Sequence, residues 1–176
     1  MLQLKLKSIL LIISILLVVN IQGQTEKKSS IGRSNIIKAA KEIMKSAQYC
    51  TLISTDSMGE VHARMMETFP LGDNFAVWFG TNKKSRKVAE IRKNPKVAIY
   101  YAATDETGYL TIYGNAELVN EPKEKLRLWK KEWKNYFTDR KDFILIKVIP
   151  QKMEIISYKH GINGNKETWE AVNFEF

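Results

Sequence analysis

The sequence predicts a mainly β fold: a small closed or partly split antiparallel barrel with few helices. Three observations point to it. Seven short runs rich in β-branched and aromatic residues follow one another, most of their connectors are too short to house a crossover helix, and only three segments carry helical spacing. With 176 residues, 44% of them hydrophobic, the chain is long enough for one domain with a proper core and too short for two comfortable ones.

The N-terminus is set aside first. Lys5 and Lys7 precede an apolar run from Ile9 to Val19 and then the polar "NIQGQTEKKSS", the layout of a secretory signal peptide. The run is shorter than the roughly 18 to 20 residues that span a bilayer, so cleavage near Gly23 is expected. An uncleaved anchor is the alternative. This gives a leader at residues 1–23, a linker at 24–33 and a domain at 34–176, in an exported protein, periplasmic or secreted, with no stable membrane insertion once the leader is cut.

"SNIIKAAKEIMKSAQY" reads as an amphipathic helix with Ser34 as N-cap and Ile36, Ile37, Ala40, Ile43, Met44 and Ala47 on one face. "CTLISTD", "VHARMMETFP", "FAVWFGT", "KVAIYYAAT", "YLTIYGNAELV", "DFILIKVIP" and "KMEIISYK" read as strands, joined by the turn chemistries "SMGE", "LGDN", "DETG" and a corner at Pro150. Two further helices are expected. One is "SRKVAEIRKN", stopped by Pro95; the other is "PKEKLRLWKKEWKNYF", where Leu126, Trp129, Trp133 and Phe137 keep helical spacing behind Pro122.

Cys50 is the only cysteine, so no disulfide forms within the chain; it reads as a small core residue. The formal charge of +9 becomes +7 if Lys5 and Lys7 leave with the leader, which permits nucleic acid, an acidic membrane or a phosphorylated ligand as partner. Nucleic acid is disfavoured because the basic residues cluster at one helix start, without the interleaved aromatics that stack bases. His62 and His160 are the only histidines, and neither has a second ligand at metal spacing, so no metal site is expected.

In "WFGTNKKSRKVAEIRKNP", Lys83, Lys84, Arg86 and Lys87 crowd a helix start, where the backbone dipole disfavours cations. Thr81 ends a strand and Ser85 lies at the N-cap, so hydroxyls, free amides and cations would converge on one anion, for which a phosphate monoester fits. Arg64 joins them if its strand pairs with Phe75 to Thr81 across "LGDN". The plainer alternative is a solvated basic helix with an ordinary serine cap.

"ARMM", "WFGTNKKSRKVAEIRKNPKVAIYY" and "YGNAEL" together resemble the pyridoxamine 5′-phosphate oxidase-like superfamily of FMN-binding split barrels, most closely its general stress protein 26 branch. The resemblance implies an antiparallel barrel of Greek-key type that dimerises with FMN between the chains. It implies Arg64, Thr81, Ser85, Arg86 and Lys87 on the FMN phosphate, main-chain groups of Met65 and Met66 facing the flavin ring, and Gly80 beside the ribityl phosphate. It also implies flavin redox chemistry with a small-molecule substrate or electron donor, although a protein that only binds flavin would keep the same cradle. Some related barrels bind haem through a late histidine, which keeps His160 as an alternative.

Three departures separate the chain from true pyridoxamine phosphate oxidases. Phe69 stands where they place a substrate-binding lysine, Tyr109 where they place a glutamine beside the flavin, and "WEAVNFEF" lacks their Arg-x-His element. Vitamin B6 oxidation is therefore not expected. Trp129 and Trp133 read as core at their helical spacing, and of Trp78 and Phe79 one should face the core and the other outward.

Overall fold

The computed structural model of the chain describes residues 31–72 and 74–176. The expected leader and most of the expected linker lie outside them. No helix among the described residues is long and apolar enough to cross a membrane.

Helix α1, Arg33–Ser46, buries Ile36, Ala39, Ala40, Ile43 and Met44, the face its spacing requires. It starts earlier than Ser34 would have it: Gly32 is the N-cap, its carbonyl taking the amides of Asn35 and Ile36. Strands β1, Tyr49–Thr55, and β2, Val61–Glu67, form a hairpin, and so do β4, Lys96–Ala102, and β5, Gly108–Val119. Between them lie β3, Val77–Asn82, and helix α2, Arg86–Lys93. After β5 come α3, Pro122–Arg127, then β6, Phe143–Ser157, and β7, Val172–Glu175.

All pairing is antiparallel, in the order β2-β1-β4-β5-β6-β3, with β7 added to the second half of β6. The expected ladder between β2 and β3 is absent, since each is an edge strand, paired to β1 and β6 respectively. The sheet curls until one bond, Phe69 N–H to the Trp78 carbonyl at 3.2 Å, links the two edges beyond the end of β2. The result is a split half-barrel.

Two expected strands are one. β6 runs through Pro150, which pairs with Gly114 at a register shift that leaves Gln151 of β6 as the extra residue. A bulge tolerates a residue with no amide hydrogen, and Gly114 is required there because a Cβ would run into the Ile149 carbonyl. β7 was not expected; four residues in "WEAVNFEF" are too few to show a period.

The long third helix is also corrected. α3 stops at Arg127, and Lys131–Asn135 forms a separate 3₁₀ turn. In one straight helix Trp129 and Phe137 would sit about 12 Å apart along the axis. Broken, the segment brings Trp129, Trp133 and Phe137 each to 5.2 Å from the Phe143 ring, an aromatic lid on the outer face of β3 and β6. The tryptophans are packing residues, but half-buried in this outer lid rather than in the core that an unbroken helical spacing predicts.

Strand alternation builds a core with two ends. Leu52, Phe79, Ile99, Tyr101, Leu110 and Ile112 are fully buried in the curl, under α1. Phe79 is the inward member of its pair, while Trp78 lies on the outer face under Arg127 and Lys147. Cys50 is core too, its thiol pushed up to about 12 by burial. The same alternation carries His62, Arg64, Ser54 and Thr81 to the inner face, where α2 packs through Val88, Glu90 and Ile91. A polar, helix-covered pocket of side chains thus lies inside an otherwise apolar barrel.

Candidate functional site

Helix α2 begins at Arg86 because Ser85 turns extended (φ −70°, ψ 150°) and its carbonyl opens the first turn. Its hydroxyl does not cap the helix. Ser85 Oγ is buried without a hydrogen-bond partner among the described residues, an arrangement that costs stability unless something else binds it.

The four cations at the helix start divide into two pairs. Lys83 and Lys84 turn away to Asp142, at 3.2 and 3.0 Å, and Lys83 also donates to the Lys141 carbonyl. Lys87 turns inward and donates to Thr81 Oγ1 at 3.1 Å. Loss of hydration lowers the Lys87 pKa, and Arg64 and then Arg86 lower it further against the opposing pull of Glu90. Lys87 and Arg64 share one half-buried place, with the largely exposed Arg86 at its rim.

Arg64 arrives from β2 by a route other than a β2–β3 ladder. Its Nη1 donates to Ser54 Oγ at 2.6 Å and reaches toward the Leu52 carbonyl at 3.4 Å, while Nη2 donates to Glu90 Oε2 at 2.9 Å. Ser54 in turn donates to the same Glu90 oxygen at 2.5 Å. The other oxygen lies 3.2 Å from Arg86 Nε and 2.9 Å from His62 Nδ1, both close as charged pairs but neither aligned for a hydrogen bond. Glu90 is 3% exposed. Burial alone would raise its pKa; the Ser54 hydrogen bond and Arg64 reverse this, and it is held below the usual carboxylate range.

Arg64, Thr81, Ser85, Arg86 and Lys87 are therefore gathered at the mouth of the split between β2 and β3. Met65 and Met66 continue along β2, whose outer edge pairs with no strand among the described residues and presents main-chain donors and acceptors. Gly80 stands apart. The space a Cβ would take is filled by the Trp133 and Phe143 rings, so the missing side chain serves the lid, and only its backbone faces anything else.

Sequence reading missed Glu90 and Ser54. Glu90 stands four residues after Arg86, which reads as a surface helix pair, and Ser54 looks like any strand serine. It also missed that the β1–β2 turn brings Asp56 and Glu60 to His62, their ligand-type atoms within 4.8 Å of one another. Asp56 Oδ1 already accepts the amides of Met58 and Glu60, so this cluster reads as turn chemistry. His160 is engaged at both ring nitrogens, Nδ1 with Ser157 Oγ at 2.8 Å and Nε2 with Glu42 at 3.1 Å, so an axial haem bond would have to displace one of these partners.

A comparison with curated proteins finds no match. Among solved structures, the chain is similar to a protein related to general stress protein 26 from Clostridium acetobutylicum (17% identity, 83% of this chain and 97% of that one, TM-score 0.66). It is similar to a pyridoxamine 5′-phosphate oxidase-related, FMN-binding protein from Nostoc punctiforme (13% identity, 82% and 95%, TM-score 0.60). A haem-binding protein from Mycobacterium smegmatis shares the fold at 17% identity (67% and 52%, TM-score 0.55). At such identities these likenesses show the fold. The model for the family described as pyridoxamine 5′-phosphate oxidase like matches residues 35–162, most of the chain, which therefore belongs to that family.

Proposed function

We propose that the protein binds FMN, with the phosphate held by Arg64, Thr81, Ser85, Arg86 and Lys87 and the ring along the free edge of β2 at Met65 and Met66. The carrying observation is an excess of positive charge: Arg64, Arg86 and Lys87 share a single buried carboxylate, Glu90, beside the unpartnered Ser85 hydroxyl, and the Lys87 pKa is depressed by burial and by its charged neighbours. A dianion is what this arrangement lacks. FMN, when bound, supplies hydride or electron transfer, and the chain supplies binding and orientation.

A second copy of the chain completes the reading. The outer sheet face beside β2 exposes Tyr49, Met65 and Tyr100, the last stacked on Tyr109 at 5.7 Å, and a partner on this face would shelter a ring lying along the β2 edge. The expected molar mass in solution is that of a homodimer.

The activity we propose is that of a flavin-dependent oxidoreductase, not a pyridoxamine phosphate oxidase. Phe69 packs edge-on against Trp133, and the cation over it, Lys130, is tied to Glu67 at 2.8 Å, so that lysine is not free to serve a second phosphate there. Protein loaded with FMN and freed of excess should keep a flavin absorption band, accept electrons from a general donor, and release no hydrogen peroxide with pyridoxamine phosphate. A colourless protein after loading would overturn the flavin reading, and peroxide turnover would overturn the exclusion.

We further propose export, supported by Lys5, Lys7 and the apolar run behind them. Mass spectrometry of the exported protein should find an N-terminus near Gln24; intact Met1 in a soluble cytoplasmic protein would contradict this.

A further inference from the structure

We infer that Glu90, relayed by Ser54, is a positioning residue that aims Arg64 and sets the charge of the cradle for a phosphate monoester. The inference rests on the phosphate reading above. A guanidinium offers two forked edges, one formed by Nη1 and Nη2 and the other by Nε and Nη2. Ser54, the Leu52 carbonyl and Glu90 take up the first edge, and Arg64 Nε has no hydrogen-bond partner among the described residues. The second edge is thereby held free for a bidentate oxyanion. Glu90 also stands 3.2 Å from Arg86 Nε, an ion pair without a hydrogen bond, so the carboxylate that fixes Arg64 also draws the more exposed helix arginine toward it. With Arg64, Arg86 and Lys87 facing it, two positive charges remain in excess, matching the dianion of a phosphate monoester.

The alternative is that Glu90 merely offsets charge, and the two roles predict opposite signs. Replacing a carboxylate beside an anion site raises the local positive potential, so by simple electrostatics Glu90→Gln would bind FMN more tightly. If Glu90 positions Arg64 and Arg86, the same substitution loosens them and binding weakens. FMN and riboflavin are titrated into wild type, Glu90→Gln and Ser54→Ala, with circular dichroism confirming the fold. The expected result is an FMN affinity at least about tenfold lower in Glu90→Gln, as for one lost hydrogen bond between charged groups, and riboflavin affinity nearly unchanged. Ser54→Ala, which leaves every charge in place, should shift FMN affinity in the same direction and keeps the test valid if Glu90→Gln does not fold. FMN binding as tight as wild type or tighter, in Glu90→Gln or, should that variant not fold, in Ser54→Ala, overturns the positioning role while wild type still prefers FMN. A wild type with no preference for FMN over riboflavin overturns the phosphate reading and this inference with it.

Discussion

Lys87, in the first turn of α2, donates from Nζ to Thr81 Oγ1 near the end of β3 at 3.1 Å, bridging the helix to an edge of the split barrel. Its charge is costly there, because burial and then Arg64 disfavour the protonated form. A lysine whose folded pKa is depressed lowers stability at neutral pH, and that cost is withdrawn as pH rises through the folded value toward the unfolded one, about 10.4. Lys87→Met should therefore leave the ligand-free protein as stable as wild type or more so at neutral pH, with the difference shrinking in alkali. Its FMN affinity should fall roughly ten- to a hundredfold. Thermal melts across pH, paired with FMN titrations, check both halves.

Glu90 predicts the opposite pH limb. Burial pushes its pKa up, but the Ser54 hydrogen bond and Arg64 bring it below the usual value, so its ionised form stabilises the fold. That contribution is present above the unfolded pKa of about 4.3 and is lost as pH falls through the folded one. In Glu90→Gln the acid limb of Tm against pH should flatten. An acid limb as steep as wild type would show that Glu90 is not ionised in the fold.

Lys83 is the control for the cradle. It lies beside the site in sequence but is paired with Asp142 at 3.2 Å, away from Thr81. Lys83→Ala should change FMN affinity less than about threefold at physiological salt, since a solvated charge acts only through screened electrostatics. Equal losses in Lys83→Ala and Lys87→Ala would reduce the segment to a basic face.

Gly80 separates packing from binding. A methyl group there meets the Trp133 and Phe143 rings, so Gly80→Ala should cost about 1 to 3 kcal/mol as overpacking. Placed on a Trp133→Leu background, the same change should cost less, because the ring it collides with is gone. An undiminished cost would locate the constraint elsewhere than the lid.

What the sequence revealed and what it hid divide by the range of the interactions. The strands and the cluster at Thr81, Ser85, Arg86 and Lys87 are local patterns, and each was legible from alternation or from the turn into α2. The standing of β2 and β3 as edges was not, because it depends on β6 reaching back past β5 to pair with β3. Pro150 reads as a corner because a proline inside a paired strand needs a bulge beside it, and the bulge, at Gln151, shows only once β6 is set in register against Tyr113 and Gly114 of β5. The break after Arg127 follows from three rings converging on Phe143, a residue beyond the segment. Glu90 was invisible as a site residue for the same reason: its partners Ser54, His62 and Arg64 lie 26 to 36 positions away.

The central claim is that the gathered cations and hydroxyls bind a phosphate, and calorimetric titration of the wild-type protein with FMN and with riboflavin tests it most directly. Several charge-assisted hydrogen bonds to one phosphate predict FMN tighter than riboflavin by about a hundredfold or more, with the gap narrowing as salt rises. Riboflavin binding as tightly as FMN would contradict it.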